Sequence, residues 1–236
     1  MYDMHTSGAV AFSDGRHSIQ NSGMMMRALQ YVKAFGGTVM NHPHDEGISD
    51  KGQMHEGRIS TSLGMKGIPR LSEEIQLQRD IYLVEYVDSK LHVSNITSAI
   101  SENLVRAAKQ KGLNITASVP LLNLIFTDEV LTNFNTQFKI FPPLREQSDI
   151  EELRKGLKDG TIDIITSNHR PIEEEAKNLE FLFASFGSLG LQTTYPLYNT
   201  YLTELIDEEG FVDKVCLLYT SPSPRDATLS RMPSSA

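Results

Sequence analysis

Four apolar, β-branched runs in this chain each carry, at or near their carboxyl end, a residue able to bind a metal or move a proton. Asp14 closes GAVAFSD (8–14), His42 closes GTVMNH (37–42), His92 lies in KLHVSN (90–95), and TIDIITSN (161–168) ends on Asn168 with His169 directly after it. Neutral imidazole is a common nitrogen ligand of zinc, and two histidines with a carboxylate make the donor set of a hydrolytic centre. Each residue alone has a plainer role. A single histidine in a strand is usually a hydrogen-bonded core residue, and an aspartate before Gly15 is ordinary turn chemistry. Their shared location at the strand ends, where barrel enzymes assemble their sites, favours metal chemistry. His42 is the stronger ligand candidate of the pair His42-Pro43-His44, because Asp45-Glu46-Gly47 continues His44 into a loop.

These residues need elements to position them. A fifth run, NITASV (114–119), completes the strand set, and segments of helical period fall between the runs at 22–36, 72–89, 98–112 and 149–160. Ser72 followed by Glu73 and Glu74 suits a helix start, and Gly112 after Lys109 and Lys111 suits a helix end. Leu104, Ala107 and Ala108 form the stripe expected to face the sheet. Met24, Met25 and Met26 are expected to pack in the core as flexible gap-fillers. The alternation of strand and helix predicts an α/β fold with a parallel sheet, either open or closed into a barrel.

The chain has 236 residues, of which 39% are hydrophobic and 22% charged, ample for a buried core. A formal net charge of -8 offers no basic footprint, so no nucleic-acid partner is expected. One cysteine, Cys216, excludes a disulfide framework and a cysteine-based zinc site. No membrane-length apolar run and no basic leader followed by an apolar stretch occur, so the expected location is cytoplasmic. After about Lys214 the periodicity gives way to SPSPRDATLSRMPSSA, so residues 216–236 are expected to be a disordered tail without function. The tail resembles translated adapter sequence.

The stretches HVSNITSAISENLVRAAKQKGLNITASV, FPPLREQSDIEELRKGLKDGTIDIITSNHRP and EEEAKNLEFLFASFGSLGLQT together resemble the carboxyl-terminal half of the dihydroorotases, in the amidohydrolase superfamily. AFSDG and GMKGIPRLSEE (64–74) are similar to further landmarks in the same order, and the likeness covers about residues 8–205. It implies part of a TIM (β/α)8 barrel, strands four to eight, as one domain over 1–205, with 206–215 ending the family-like sequence. It also implies a zinc cofactor, and dihydroorotate or N-carbamoyl-aspartate of pyrimidine biosynthesis as ligands. Asp14, His42 and His92 match metal-ligand positions. Two further ligands, a His-x-His pair on the first strand, lie outside the resemblance, as does the small β domain.

Several matched positions depart from the family's pattern. Asn168-His169-Arg170-Pro171-Ile172 stands where the family usually reads Asp-His-Ala-Pro-His, which puts an amide at the position of the catalytic carboxylate. Leu122-Asn123-Leu124 stands for His-His-Leu, and Phe141 for the substrate-side Asn of Asn-Pro-Pro-Leu-Arg. His169 and Asn123 remain the matched substrate-side positions. An amide cannot take a proton from a metal-bound water near neutral pH. The resemblance therefore leaves two main expectations: a zinc-dependent dihydroorotase-type hydrolase whose turnover is compromised, or a non-catalytic subunit that supports aspartate transcarbamoylase. A third, an amidohydrolase acting on another cyclic ureide with Arg170 and Phe141 shaping its pocket, is carried by no ligand-specific residue. A five-strand piece of a barrel is also expected to fold poorly alone, because its two edges and its inner face stay unpaired.

Overall fold

The computed structural model describes residues 1–217, so the tail expected from residue 216 onward falls almost wholly outside the described residues. The strands are β1 (Ala11–Ser13), β2 (Thr38–Asn41), β3 (Met54–His55), β4 (Gly67–Ile68), β5 (Lys90–Val93), β6 (Ile115–Pro120) and β7 (Ile164–Thr166). The first five helices are α1 (Tyr2–Thr6), α2 (Ser22–Lys33), α3 (Glu46–Ser49), α4 (Arg58–Ser62) and α5 (Leu71–Val87). The rest are α6 (Ala99–Gln110), α7 (Gln147–Asp159), α8 (Glu174–Lys177), α9 (Thr194–Tyr201) and α10 (Glu208–Val212).

Five strands form one sheet in the order β1-β2-β5-β6-β7, every pair parallel. Parallel neighbours need long crossovers, and α2, α5, α6 and α7 supply them. The order never reverses, as in the wall of a barrel. All five main strands and all four long helices lie where the hydrophobic periodicity puts them. The pair β3 and β4 forms a separate two-stranded sheet that the sequence does not announce, since two residues are too few to show a period.

Because alternate strand residues face opposite sides, Val39, Leu91, Val93, Ala117, Val119 and Ile165 point together into the core beneath the helices. Helix α2 adds Met25, Leu29 and Val32, α5 adds Leu77, Ile81 and Val84, and α7 adds Leu153 and Leu157. Each such aliphatic side chain stabilises the fold by roughly 1.5–3 kcal/mol. Of the three consecutive methionines only Met25 is fully buried; Met24 is 57% exposed, because neighbours on a helix are a hundred degrees apart. On α6 the buried line is Ser101, Val105 and Ala108. Leu104 flanks it and Ala107 is exposed, so the helix sits rotated from the stripe expected.

Side-chain caps fix two of the long helices, and Ser72, expected at a helix start, lies one residue inside α5 without capping it. Asn21 Oδ1 accepts from Met24 N at 2.9 Å, and Ser98 Oγ accepts from Ser101 N at 3.0 Å. Gly112 adopts a φ of 79° just past α6, the left-handed conformation a helix end favours. Glu73 and Glu74 lie in the first turn of α5 as expected, and Glu73 has a second role. Its Oε1 accepts from Thr97 N at 2.8 Å and Ser98 N at 3.1 Å, so it caps the entry to α6 from a neighbouring helix.

Candidate functional site

The opposite face of the sheet mixes polar side chains with apolar ones such as Met40 and Ile164. His92 on β5 lies between the hydroxyls of β6, with Nδ1 2.9 Å from Thr116 Oγ1 and Nε2 3.2 Å from Ser118 Oγ. Burial pushes its pKa down to about 4, so the ring is neutral near pH 7. It lines a broad cavity of about 1080 Å³ along the inner sheet face, together with Met40 and Thr166.

A second cleft, of about 670 Å³, opens at the carboxyl ends of the strands. The turn after β1 contributes Gly15, Arg16 and His17; β2 contributes His42; β5 is followed by Ser94 and Asn95; and the segment after β7 contributes Asn168 to Pro171. Phe141 and Pro142 close one side. His42 is the best-prepared ligand here. Its Nδ1 donates to the Ser94 carbonyl at 3.0 Å, which leaves Nε2 with its lone pair, buried and without a hydrogen-bond partner among the described residues. Burial lowers its pKa, although the Ser94 carbonyl and Glu73 oppose that shift. A carbonyl on the far nitrogen is the usual support of a metal-binding histidine.

Asn168 and His169 extend beyond β7 as the strand pattern predicts. Asn168 has a φ of 46°, a left-handed conformation that asparagine tolerates, and its Nδ2 donates to the Phe141 carbonyl at 3.0 Å. His169 Nδ1 accepts from Gly190 N at 3.0 Å and Leu191 N at 3.3 Å. The neutral ring therefore carries its proton on Nε2. Gly190 permits this contact, since a Cβ there would meet Ser167 O at 2.2 Å.

The remaining sequence candidates are dispersed. Asp14 is exposed and lies outside the residues lining the cleft. Asn123 is 2% exposed, in the 3-10 turn after β6, and its Nδ2 donates to the Pro143 carbonyl at 2.8 Å. His44 Nε2 lies 2.8 Å from Ser49 Oγ, its ring packs edge-on to Phe141, and burial then the His42 charge lower its pKa to about 4. Thus His42, Asn168 and His169 share one cleft, His92 lines the adjoining cavity, and Asp14 and Asn123 line neither. Arg16, His17 and Asn95 were missed by the sequence reading. Arg16 and His17 directly follow Asp14, so the strand-end rule applied one turn further would have found them.

Among the described residues one group of metal-ligand types converges elsewhere: donor atoms of His55, Glu146 and Asp149 lie within 4.8 Å of one another. Arg70 already occupies that position electrostatically, with Nη2 2.8 Å from Asp149 Oδ2 and a second contact to Glu146 Oε2. Arg145 Nη1 approaches His55 Nδ1 at 3.1 Å. Arg70 therefore engages both carboxylates of the group, and Arg145 sets a second positive charge against its histidine. At the strand ends His42 Nε2 could bind a metal, but no carboxylate lines the cleft, and Asn168 offers an amide. Among the described residues, those of the cleft therefore do not complete a zinc centre by themselves.

A family model described as "Dihydro-orotase-like" matches residues 2–101. The dihydroorotase of Pelotomaculum thermopropionicum is 44% identical over 202 residues, covering 86% of this chain and 47% of the relative. That of Acetivibrio thermocellus is 40% identical over 217 residues, covering 91% and 51%. The chain thus spans about half the length of the curated relatives it matches. Among solved structures, L-hydantoinase from Arthrobacter aurescens superposes with a TM-score of 0.76 at 22% identity, covering 91% of this chain and 51% of that one. Dihydropyrimidinase from Brevibacillus agri NCHU1002 gives 0.74 at 19% identity, covering 89% and 49%. These neighbours carry the barrel fold of amidohydrolases, and the five-strand parallel wall described above is consistent with part of that barrel. No helix among the described residues is long and apolar enough to cross a membrane.

Proposed function

This chain belongs to the dihydroorotase family, and from that premise we propose that it forms part of a dihydroorotase-type barrel that binds dihydroorotate or N-carbamoyl-aspartate without interconverting them efficiently. The observation that carries this reading is the Asn168 amide, which donates to the Phe141 carbonyl at the position matched to the family's general base. A carboxylate could not make that bond, and an amide cannot relay a proton. Zinc enters the proposal only through donors beyond this chain, with His42 and His92 as the imidazoles it would contribute.

Fusing this chain behind the amino-terminal half of the Pelotomaculum relative allows a direct test by following ring opening of dihydroorotate with added zinc. The Asn168 form should stay near background, and Asn168→Asp should raise turnover on the order of 10²-fold, the usual scale of a positioned base. Equal turnover by both forms would overturn the reading.

A second reading is a non-catalytic subunit that supports aspartate transcarbamoylase. It is favoured by retention of close helix packing while the strand ends have changed. Gly156 on α7 sits so near Glu102 on α6 that a Cβ would lie 2.5 Å from Oε1. Co-elution of the fused protein with that enzyme on gel filtration supports this reading, and two separate peaks count against it.

A further inference from the structure

A further cavity, of about 660 Å³, shares no lining residue with the strand-end cleft. It lies between Arg58 and Ile59 of α4, a 3-10 turn that carries Asp128, Glu129 and Val130, and the start of α7 at Glu146. Its wall is apolar at Ile59, Phe126 and Val130 and acidic at Asp128, Glu129 and Glu146.

Two of the three acids already hold a cation. Arg58 Nη2 lies 3.3 Å from Glu129 Oε1, and Glu146 gives its Oε2 to Arg70. Asp128 figures in no ion pair among the described residues, although it is only 2% exposed and its Oδ2 is buried without a hydrogen-bond partner among them. Its backbone fixes it in place, because Asp128 N donates to the Arg145 carbonyl at 2.9 Å. Burial, then the charges of Glu146 and Glu129, raise its pKa to about 6, against the opposing pull of its own N–H and of Arg70. A buried carboxylate oxygen without a donor is costly, and a bound N–H donor would remove that cost.

The spacing of donors decides which cation fits. Calcium and magnesium draw several oxygens to about 2.0–2.6 Å, which crowds the ligands together. Asp128 belongs to no group of three metal-ligand side chains with donor atoms within 4.8 Å of one another among the described residues; the group that does converge is His55, Glu146 and Asp149. One orphaned oxygen beside apolar walls suits a compact ammonium on a methylene stem better than a guanidinium, whose planar fork takes two oxygens. We propose that this cavity binds a primary alkylammonium group, its nitrogen donating to Asp128 Oδ2 and its methylenes lying along Ile59, Phe126 and Val130. Such a group arrives either as a free aliphatic amine or as the lysine side chain of a peptide.

Isothermal titration of the full 236-residue chain near neutral pH with n-butylamine, Nα-acetyl-lysine amide, tetramethylammonium and calcium chloride tests this. Butylammonium should bind at least about 10-fold more tightly than tetramethylammonium, which has the same charge but no N–H to donate. Asp128→Asn should weaken butylammonium binding at least about 10-fold, with the circular dichroism unchanged and the melting temperature equal or higher, since an uncompensated buried charge has gone. Glu204→Gln, at an exposed acid outside the cavity, should bind as wild type. The comparison of the two ammoniums uses the unaltered chain and stands whatever the variant does to folding. Tighter binding of the lysine amide than of butylammonium identifies a peptide side chain as the source, and equal or weaker binding a free amine; either supports the site. No butylammonium binding, tetramethylammonium or calcium binding as tightly, or affinity unaltered by Asp128→Asn would overturn it.

Discussion

At the scale of single residues, burial lowers the pKa of His42, His44, His55 and His92. His55 is 1% exposed, and burial, with Arg145 and Arg70 nearby, lowers its pKa from 6.5 to about 3. In the unfolded chain the same ring takes up a proton near 6.5. Between those values the unfolded state binds more protons than the folded one, so stability falls as the pH drops through that window. His44 and His92, each lowered to about 4, act with the same sign between 6.5 and 4. The urea midpoint should therefore decline steadily from pH 6.5 to 4, and His55→Gln should flatten part of that decline. A midpoint independent of pH over this range would show that these rings remain solvated.

At the scale of elements, a buried polar network joins α5, α6 and α7 to the β3–β4 sheet. Arg145 is 2% exposed, donating from Nη1 to the Ile68 carbonyl at 2.9 Å and from Nε to Thr97 Oγ1 at 3.1 Å. Its charge partner is Glu73, with Oε2 3.7 Å from Nη2. Glu73 in turn holds the amino end of α6, so one carboxylate serves two elements. Removing one member of a buried pair leaves the other charge uncompensated, which costs about 3–5 kcal/mol. Glu73→Gln should lower stability by that order in chemical denaturation, whereas Glu129→Gln, whose partner Arg58 is exposed, should change it by about 1 kcal/mol or less. Similar losses in both would show that the Arg145 network is not the mechanical link between these elements. A buried lysine makes a comparable tie elsewhere: Lys139 Nζ donates to Gln53 Oε1 and the Phe181 carbonyl, both at 2.6 Å.

At the scale of the whole molecule, β1 and β7 end the five-strand sheet, and the inner face borders a broad cavity. Parallel strands with unpaired edges are templates for further strand pairing. The isolated chain should therefore associate or melt over a broad range, and supplying the amino-terminal half of a relative in trans should sharpen the transition. A sharp, concentration-independent melt of the chain alone would mean that the helical layer suffices to stabilise the open wall.

The sequence by itself determined the strand and helix order, the side of the sheet that is apolar, and the family, since these rest on local periodicity and on motifs that survive substitution. It also marked His42, Asn168 and His169, which occupy the ends of strongly patterned strands. It could not determine which polar residues meet. Asp14 ends a strand as visibly as His42 does, yet only the closure of the turn, directed by Ser13, Gly15 and the Asn41 contact to Ile19 N at 3.1 Å, exposes one and buries the other. Asn123 is consumed by a carbonyl twenty residues later in the chain. The pairing of Glu73 with Arg145 is likewise a product of contacts between distant segments, which no spacing along the chain announces.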